Sequence, residues 1–286
     1  MTYNLGKFSY HQPQSLNEAC LLLQKLAGEA TILNGGSDVA VRINQGLYKP
    51  HLVNIKFISA LDYIKEDETG LRIGALSKLS AIAASPPVLK HFPVLVEAIK
   101  SIGTPQIRNL GTLSGNLCNA SPVADSAPAL LVLNARLTLQ GVNGSREIAL
   151  QDFHTGPGQT VLAAGELLTE IFIPWPSPGF SAVFGKHGPR KAADIAVVNV
   201  AMGLKFEEDI CVSAMVALGA VAPTLIRARQ TEAALTGQKR SEIDAAAAGA
   251  LAAAEAKPIS DIRGSLEYRR EIVAVLVERS LLALLQ

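Results

Sequence analysis

Cysteine is scarce in this chain of 286 residues: there are three, Cys20, Cys118 and Cys211, and they lie far apart. That spacing offers neither a disulfide framework nor a metal motif. It suits a reducing compartment, so the chain is expected in the cytoplasm. Three thiols also fall short of the four that an iron–sulfur cluster takes. Neither sign of charge is in excess. The net charge is +1, which gives no electrostatic case for nucleic acid or an anionic membrane as partner. No run reaches the ~18 apolar residues of a membrane span. The first residues, Met1 to Lys7, lack the basic-then-apolar layout of a signal peptide. The five histidines are scattered without ligand spacing, so none is assigned to a metal. His154, beside turn residues and without a Ser or Cys motif, reads as structural. What is left is a globular chain, 49% hydrophobic and 18% charged, long enough for two domains.

Glycine, by contrast, is concentrated. Gly103, Gly111 and Gly115 punctuate the stretch Gly103 to Asp125, in which only Arg108 and Asp125 are charged. Thr104, Thr112, Ser114, Asn116, Asn119 and Ser121 line it with small polar groups. Glycine permits close backbone approach, and successive N–H groups with short hydroxyls cradle a phosphate without a fixed cation. A second such turn, Leu33-Asn34-Gly35-Gly36-Ser37-Asp38, lies about 75 residues upstream. Paired turns of this kind predict a ligand with two adjacent phosphates, gripped from two sides. Neither turn has the Rossmann or P-loop spacing, so the residues themselves point to an anion or nucleotide site and stop there.

Around these turns the pattern predicts alternating elements. Ser15-Leu16-Asn17-Glu18 has the form of a capping box opening a helix to Leu26. Residues 30–33 and 52–55 read as short strands, and 39–44 as a helix after the first glycine turn. Residues 71–76 and 136–140 show strand alternation, and 94–102 a helix ending at Gly103. The long glycine motif reads as loop with short turns. Pro174-Trp175-Pro176-Ser177-Pro178-Gly179 cannot form a regular element and marks a boundary. Beyond it, 180–186, 196–206 and 211–220 predict a three-stranded antiparallel sheet. Helices follow within 222–237, over the alanine tract at 241–256, and over 265–284 with Ile272, Val275, Leu276, Leu282 and Ala283 on the apolar face.

The motif Ile107-Arg108-Asn109, Gly111-Thr112, Gly115-Asn116, Ala120-Ser121-Pro122 and Asp125 resembles the second FAD-binding motif of the flavoprotein subunits of molybdenum hydroxylases, the xanthine dehydrogenase and carbon monoxide dehydrogenase family. Ser114 departs from it, where the family has glycine. The upstream turn resembles the first motif, an Ala-Gly-Gly turn in the family and Asn34-Gly35-Gly36 here. Further matches run through Phe153 to Gly158, Gly165 to Ile171, and Ser260 to Ser265 with Tyr268-Arg269-Arg270. The resemblance spans nearly the whole chain.

It implies an α+β fold: a two-part FAD-binding domain of the vanillyl-alcohol-oxidase type (the PCMH fold) over 1–176, with subdomains of about 1–57 and 58–176, then a small C-terminal domain over 180–286. It implies FAD held through its pyrophosphate by Leu33, Asn34, Gly35, Gly36, Ser37 and Asp38 on one side. Thr104, Gly111, Thr112, Ser114, Gly115 and Asn116 close on the other. Asp125 corresponds to a ribose ligand, Leu168 to a residue at the adenine end, Ile102 to one against the flavin ring, and Lys186 to a cation near it. Asp194-Ile195 falls in a family loop beside the ring. The partners implied are an iron–sulfur small subunit with two [2Fe–2S] clusters and a large molybdopterin subunit, in a dimer of heterotrimers. Electrons would pass through FAD to NAD⁺ or another acceptor. A purine is the first substrate expected on the large subunit, ahead of nicotinate-type heterocycles, aldehydes and carbon monoxide. The alternatives are a stand-alone flavin oxidoreductase of the vanillyl-alcohol-oxidase or MurB type, and an assembly subunit that has lost FAD.

Overall fold

The computed structural model describes residues 7–190 and 193–286; residues 1–6, on which most of the signal-peptide reading rests, lie outside these. The chain opens with a β-α-β-α-β run: β1 (Ser9–His11), α1 (Leu16–Lys25), β2 (Ala30–Leu33), α2 (Ser37–Asn44) and β3 (His51–Asn54). The strands pair in parallel in the order β1-β3-β2. Parallel pairing requires a crossover, and α1 and α2 supply it. Ser15 caps α1, accepting from the Glu18 N–H, while the Glu18 carboxylate reaches back to the N–H of Gln14. Ala19, Cys20 and Leu23 bury the inner face of α1.

A second, antiparallel sheet follows. Its strands are β4 (Ile64–Glu66), β5 (Gly70–Gly74), β6 (Arg136–Gly141), β7 (Gly144–Ala149) and, after the small hairpin of β8 (His154–Gly156) and β9 (Gln159–Thr160), β10 (Leu167–Pro174). The order is β4-β5-β10-β6-β7. Between β5 and β6 runs a string of short helices: α3 (Leu79–Ala84), α4 (Pro86–His91), α5 (Pro93–Lys100), α6 (Pro105–Leu110), α7 (Leu113–Cys118) and α8 (Ser126–Val132). Leu71, Ile73, Leu137, Leu139, Ile171 and Ile173 on the sheet bury against Leu95, Ile99 and Leu130 of these helices.

The glycine motif is therefore more regular than a loop. Thr104 caps α6, with Pro105 at its first position, and Thr112 caps α7 by accepting from the Gly115 N–H. The expected loop was a misreading of two six-residue helices, each opened by a threonine cap.

Past Pro174 the third sheet comprises β11 (Phe180–His187), β12 (Val198–Glu207), β13 (Ile210–Gly219) and β14 (Ile226–Arg227), all antiparallel in that order. It has four strands where three were expected, because β14 is only two residues long and carries no alternation. After it come α9 (Arg229–Leu235), α10 (Ala245–Glu255) and α11 (Leu266–Leu285). Strand β12 is buried on both faces. Val200, Met202 and Leu204 meet Val273, Val277 and Leu281 of α11, while Ala201 joins the core of the preceding region. The apolar face of α11 is Val273, Val277, Leu281 and Leu284, with the expected Ile272 and Leu276 partly buried beside it; the expected Val275, Leu282 and Ala283 are exposed, so the face is rotated from the one read off the sequence. The alanine tract packs tightly: a Cβ at Gly249 would stand 2.5 Å from the Ala274 carbonyl oxygen. Among the described residues, no helix is long and apolar enough to cross a membrane.

Candidate functional site

The two glycine turns meet. Gly35, leaving β2, lies against the bend between α6 and α7. A Cβ on it would stand 2.5 Å from the Leu110 oxygen and 2.8 Å from the Gly111 Cα. Gly36 sits at φ 93°, in the left-handed region that favours glycine, and caps α2. The second turn is pinned from behind, since the Leu79 N–H donates to the Gly111 carbonyl at 2.9 Å.

Between the turns lies a cleft of ≈ 520 Å³, within the range of small-molecule sites. Asn34, Gly35, Gly36, Ser37 and Asp38 line one wall, and Gly111, Thr112, Ser114, Gly115 and Asn116 the other. Gly36 to Val39, at the N-terminal end of α2, line this space, and a helix end of this kind carries unpaired N–H groups and partial positive charge. Ile102 and Leu168 line the cleft, with Ile32, Leu79 and Leu162 extending the apolar wall.

Two cations in the lining were missed by the sequence reading, which expected a cradle without fixed charge. Arg42 and Lys49 stand there against the single carboxylate of Asp38. Arg42 follows Asp38 by one helical turn on α2, a spacing that could have found it. Its guanidinium crosses to the other wall and donates to the Asn119 side-chain oxygen at 2.5 Å, and the Asn119 side-chain amide donates to Asp38 at 3.3 Å. Cys118 also lines the cleft; burial pushes its thiol up to about 12, so it stays protonated.

Four expected site residues lie outside this lining. Leu33 ends β2 behind the first turn, with its carbonyl accepting from the Ile55 N–H. The Thr104 hydroxyl is engaged in capping α6. Asp125 and Lys186 are buried and joined at 2.7 Å. The other Asp125 oxygen accepts from the Asn199 amide at 2.8 Å, and Lys186 also donates to the carbonyls of Ser101 and Asp194. Burial pushes the Asp125 carboxyl above its ordinary range, and the charge of Lys186 opposes the shift. The cluster thus sits behind the wall, one residue from Ile102. Asp194 is drawn into it, with its carboxylate 3.4 Å from Lys186, while Ile195 is exposed.

His154 supports the second turn, its Nε2 lying 2.9 Å from the Leu117 carbonyl. Burial lowers its pKa, and the Leu117 contact only partly offsets this. A depressed histidine stabilises the fold above the unfolded pKa of about 6.5, and that contribution is lost as pH falls. Over acid unfolding curves from about pH 7.5 to 5, wild type is expected to lose more stability than His154→Gln. Parallel curves would remove this role.

The chain matches two family profiles. "FAD binding domain in molybdopterin dehydrogenase" covers residues 6–176, and "CO dehydrogenase flavoprotein C-terminal domain" covers 184–284. The carbon monoxide dehydrogenase medium chain of Afipia carboxidovorans is 35% identical, over 96% of each chain. A xanthine dehydrogenase FAD-binding subunit of Escherichia coli is 30% identical, over 95% of this chain and 94% of the relative. The crystal structure of a cyanide-inactivated Cu,Mo-CO dehydrogenase superposes with a TM-score of 0.91 at 35% identity, over 96% of each chain. The chain belongs to the FAD-binding medium subunits of the molybdenum hydroxylases.

Proposed function

We propose that this chain holds one FAD, non-covalently, in the cleft between its glycine turns. There it takes electrons from the [2Fe–2S] clusters of a small partner and delivers them to NAD⁺ or another acceptor. The supporting observation is the joining of the turns at Gly35 and Gly111, which makes one cleft with a polar end and an apolar wall. The donor set fits the cofactor. Backbone amides, Ser37, Thr112 and Asn116 suit a pyrophosphate, and the surplus of Arg42 and Lys49 over Asp38 suits its charge. Leu168 and Ile102 offer apolar surface to the two ring systems.

Bound FAD would supply the exchange between one-electron and two-electron transfer. The chain's own residues bind, orient and exclude water. The Asp125–Lys186 cluster acts one step back, with Lys186 holding the Ser101 carbonyl and so the position of Ile102. Asp125 and Lys186 themselves support the wall in place of direct contact with ribose or ring.

The hydroxylation chemistry belongs to a large molybdopterin partner, in a cytoplasmic dimer of heterotrimers. For its substrate we take a purine, on the resemblance of Phe153 to Gly158 to bacterial xanthine dehydrogenases. The assembled complex is expected to turn over xanthine faster than nicotinate, aldehydes or carbon monoxide; a different order would overturn the purine assignment. The purified single chain is expected to reduce dyes with NADH and to hydroxylate no purine, aldehyde or heterocycle. Turnover of such a substrate by the metal-free single chain would favour the stand-alone flavin oxidoreductase.

A further inference from the structure

Two of the places where the glycine turns depart from the family pattern, Asn34 and Ser114, touch each other. Asn34 ends the first turn's approach from β2, and Ser114 lies in the first turn of α7, 80 residues on. The Asn34 amide nitrogen donates to the Ser114 hydroxyl at 2.9 Å and to the Ala75 carbonyl at 2.8 Å. The Ser114 hydroxyl donates its own proton to the same Ala75 carbonyl at 2.6 Å. All three protons are spoken for, and their directions agree: the amide gives two, the hydroxyl accepts one and gives one. Ala75 directly follows β5, so the node ties both turns to the end of the antiparallel sheet. Ser114 is 3% exposed, which shields the node from competing water. The arrangement carries a cost, since the Asn34 side-chain oxygen is buried without a partner among the described residues.

We infer that Asn34 and Ser114 are a matched pair of positioning residues, which fix the separation of the two turns and thereby the preference for a dinucleotide flavin. Their side chains act on each other and on Ala75, and their contribution to the cofactor comes through the spacing of the backbone amides beside them. The argument rests on the cleft holding FAD. A pyrophosphate spans both turns and feels their separation. The single phosphate of FMN meets one turn and does not.

The test is a double-mutant cycle on the full chain, with FAD and FMN affinities measured by quenching of flavin fluorescence. Asn34→Ala and Ser114→Ala are each expected to weaken FAD about tenfold. FMN affinity is expected to change less than about threefold in either. The double variant is expected to bind FAD no worse than about threefold below the singles, because the second change removes a group whose partner is already gone. Asn34→Ala with Ser114→Gly repeats the cycle with the residues the family carries, should the first double variant not fold. Additive losses of about a hundredfold, or equal losses for FAD and FMN, would overturn the inference and leave the FAD site intact. A wild-type chain that binds neither flavin would instead overturn the FAD reading, and the inference with it.

Discussion

Gly35→Val is expected to abolish flavin binding, weakening it more than about a hundredfold, and to destabilise the chain at the same time. The side chain would be driven into backbone, the Leu110 carbonyl and Gly111 Cα, which cannot swing aside. Overpacking of this kind costs about 1–3 kcal/mol or more, and here it would part the two turns. Gly115→Ala separates the two requirements. The new methyl meets only the Thr112 hydroxyl at 2.9 Å, so the cap of α7 must give slightly but no backbone is struck. In a helix, alanine for glycine is itself favourable by up to about 1 kcal/mol. Its melting temperature should therefore stay about level, the helix gain offsetting the disturbed cap, while FAD affinity falls, because Gly115 lines the cleft. Urea melts and flavin titrations of both variants decide this. Retention of full flavin affinity in Gly35→Val would contradict the two-turn cleft.

Lys186→Met is expected to be the most destabilising single change in the C-terminal sheet. The Lys186 side chain is 9% exposed and sets its ammonium against the carboxylates of Asp125 and Asp194, whose side chains are 8% and 7% exposed. Removing one partner of a buried pair leaves an uncompensated charge and costs about 3–5 kcal/mol. The pH dependence has a defined sign. Burial already raises the Asp125 carboxyl, and loss of Lys186 removes the charge that opposes that shift. A carboxyl raised in the folded state adds stability at low pH, and that stability is lost as pH rises through its folded pKa. The deficit of Lys186→Met in urea unfolding should therefore shrink as pH falls, and Asp125→Asn added to it should recover part of the loss at neutral pH. A deficit independent of pH would place the damage in packing alone.

The sequence carried the turns better than their surroundings. Asn34 to Asp38, Gly111, Thr112 and Ser114 to Asn116 stood out in the sequence because glycine clusters there beside short polar residues, and these residues line the cleft, while Leu113 between them turns into the core. Lys49 was not legible, because it reaches the cleft from a segment with no periodicity and is placed by the parallel pairing of β2 with β3 and by its own bonds to the Gly28 carbonyl and the Thr31 hydroxyl. Asp125 and Lys186 were legible as important but not as a pair. Their meeting depends on how the C-terminal sheet packs against α8 and the end of α5, which is long-range geometry. The rotation of the α11 face has a similar cause. Apolar residues surround most of that helix, so the buried stripe was chosen by contact with β12 rather than by pattern. The Asn34–Ser114 node shows the converse, since two departures from a motif looked independent in the sequence and are one feature in space.

What leaves the chain when it is denatured identifies what the cleft holds. Heat or acid treatment of the purified full-length protein, followed by chromatographic identification and absorbance of the released flavin, is expected to yield one FAD per chain with none retained on the polypeptide. Gly115→Val, which fills the cleft side of the second turn, is expected to yield almost none. Release of FMN, a flavin that stays covalently attached, or a full equivalent of FAD from Gly115→Val would contradict a pyrophosphate held between the two glycine turns.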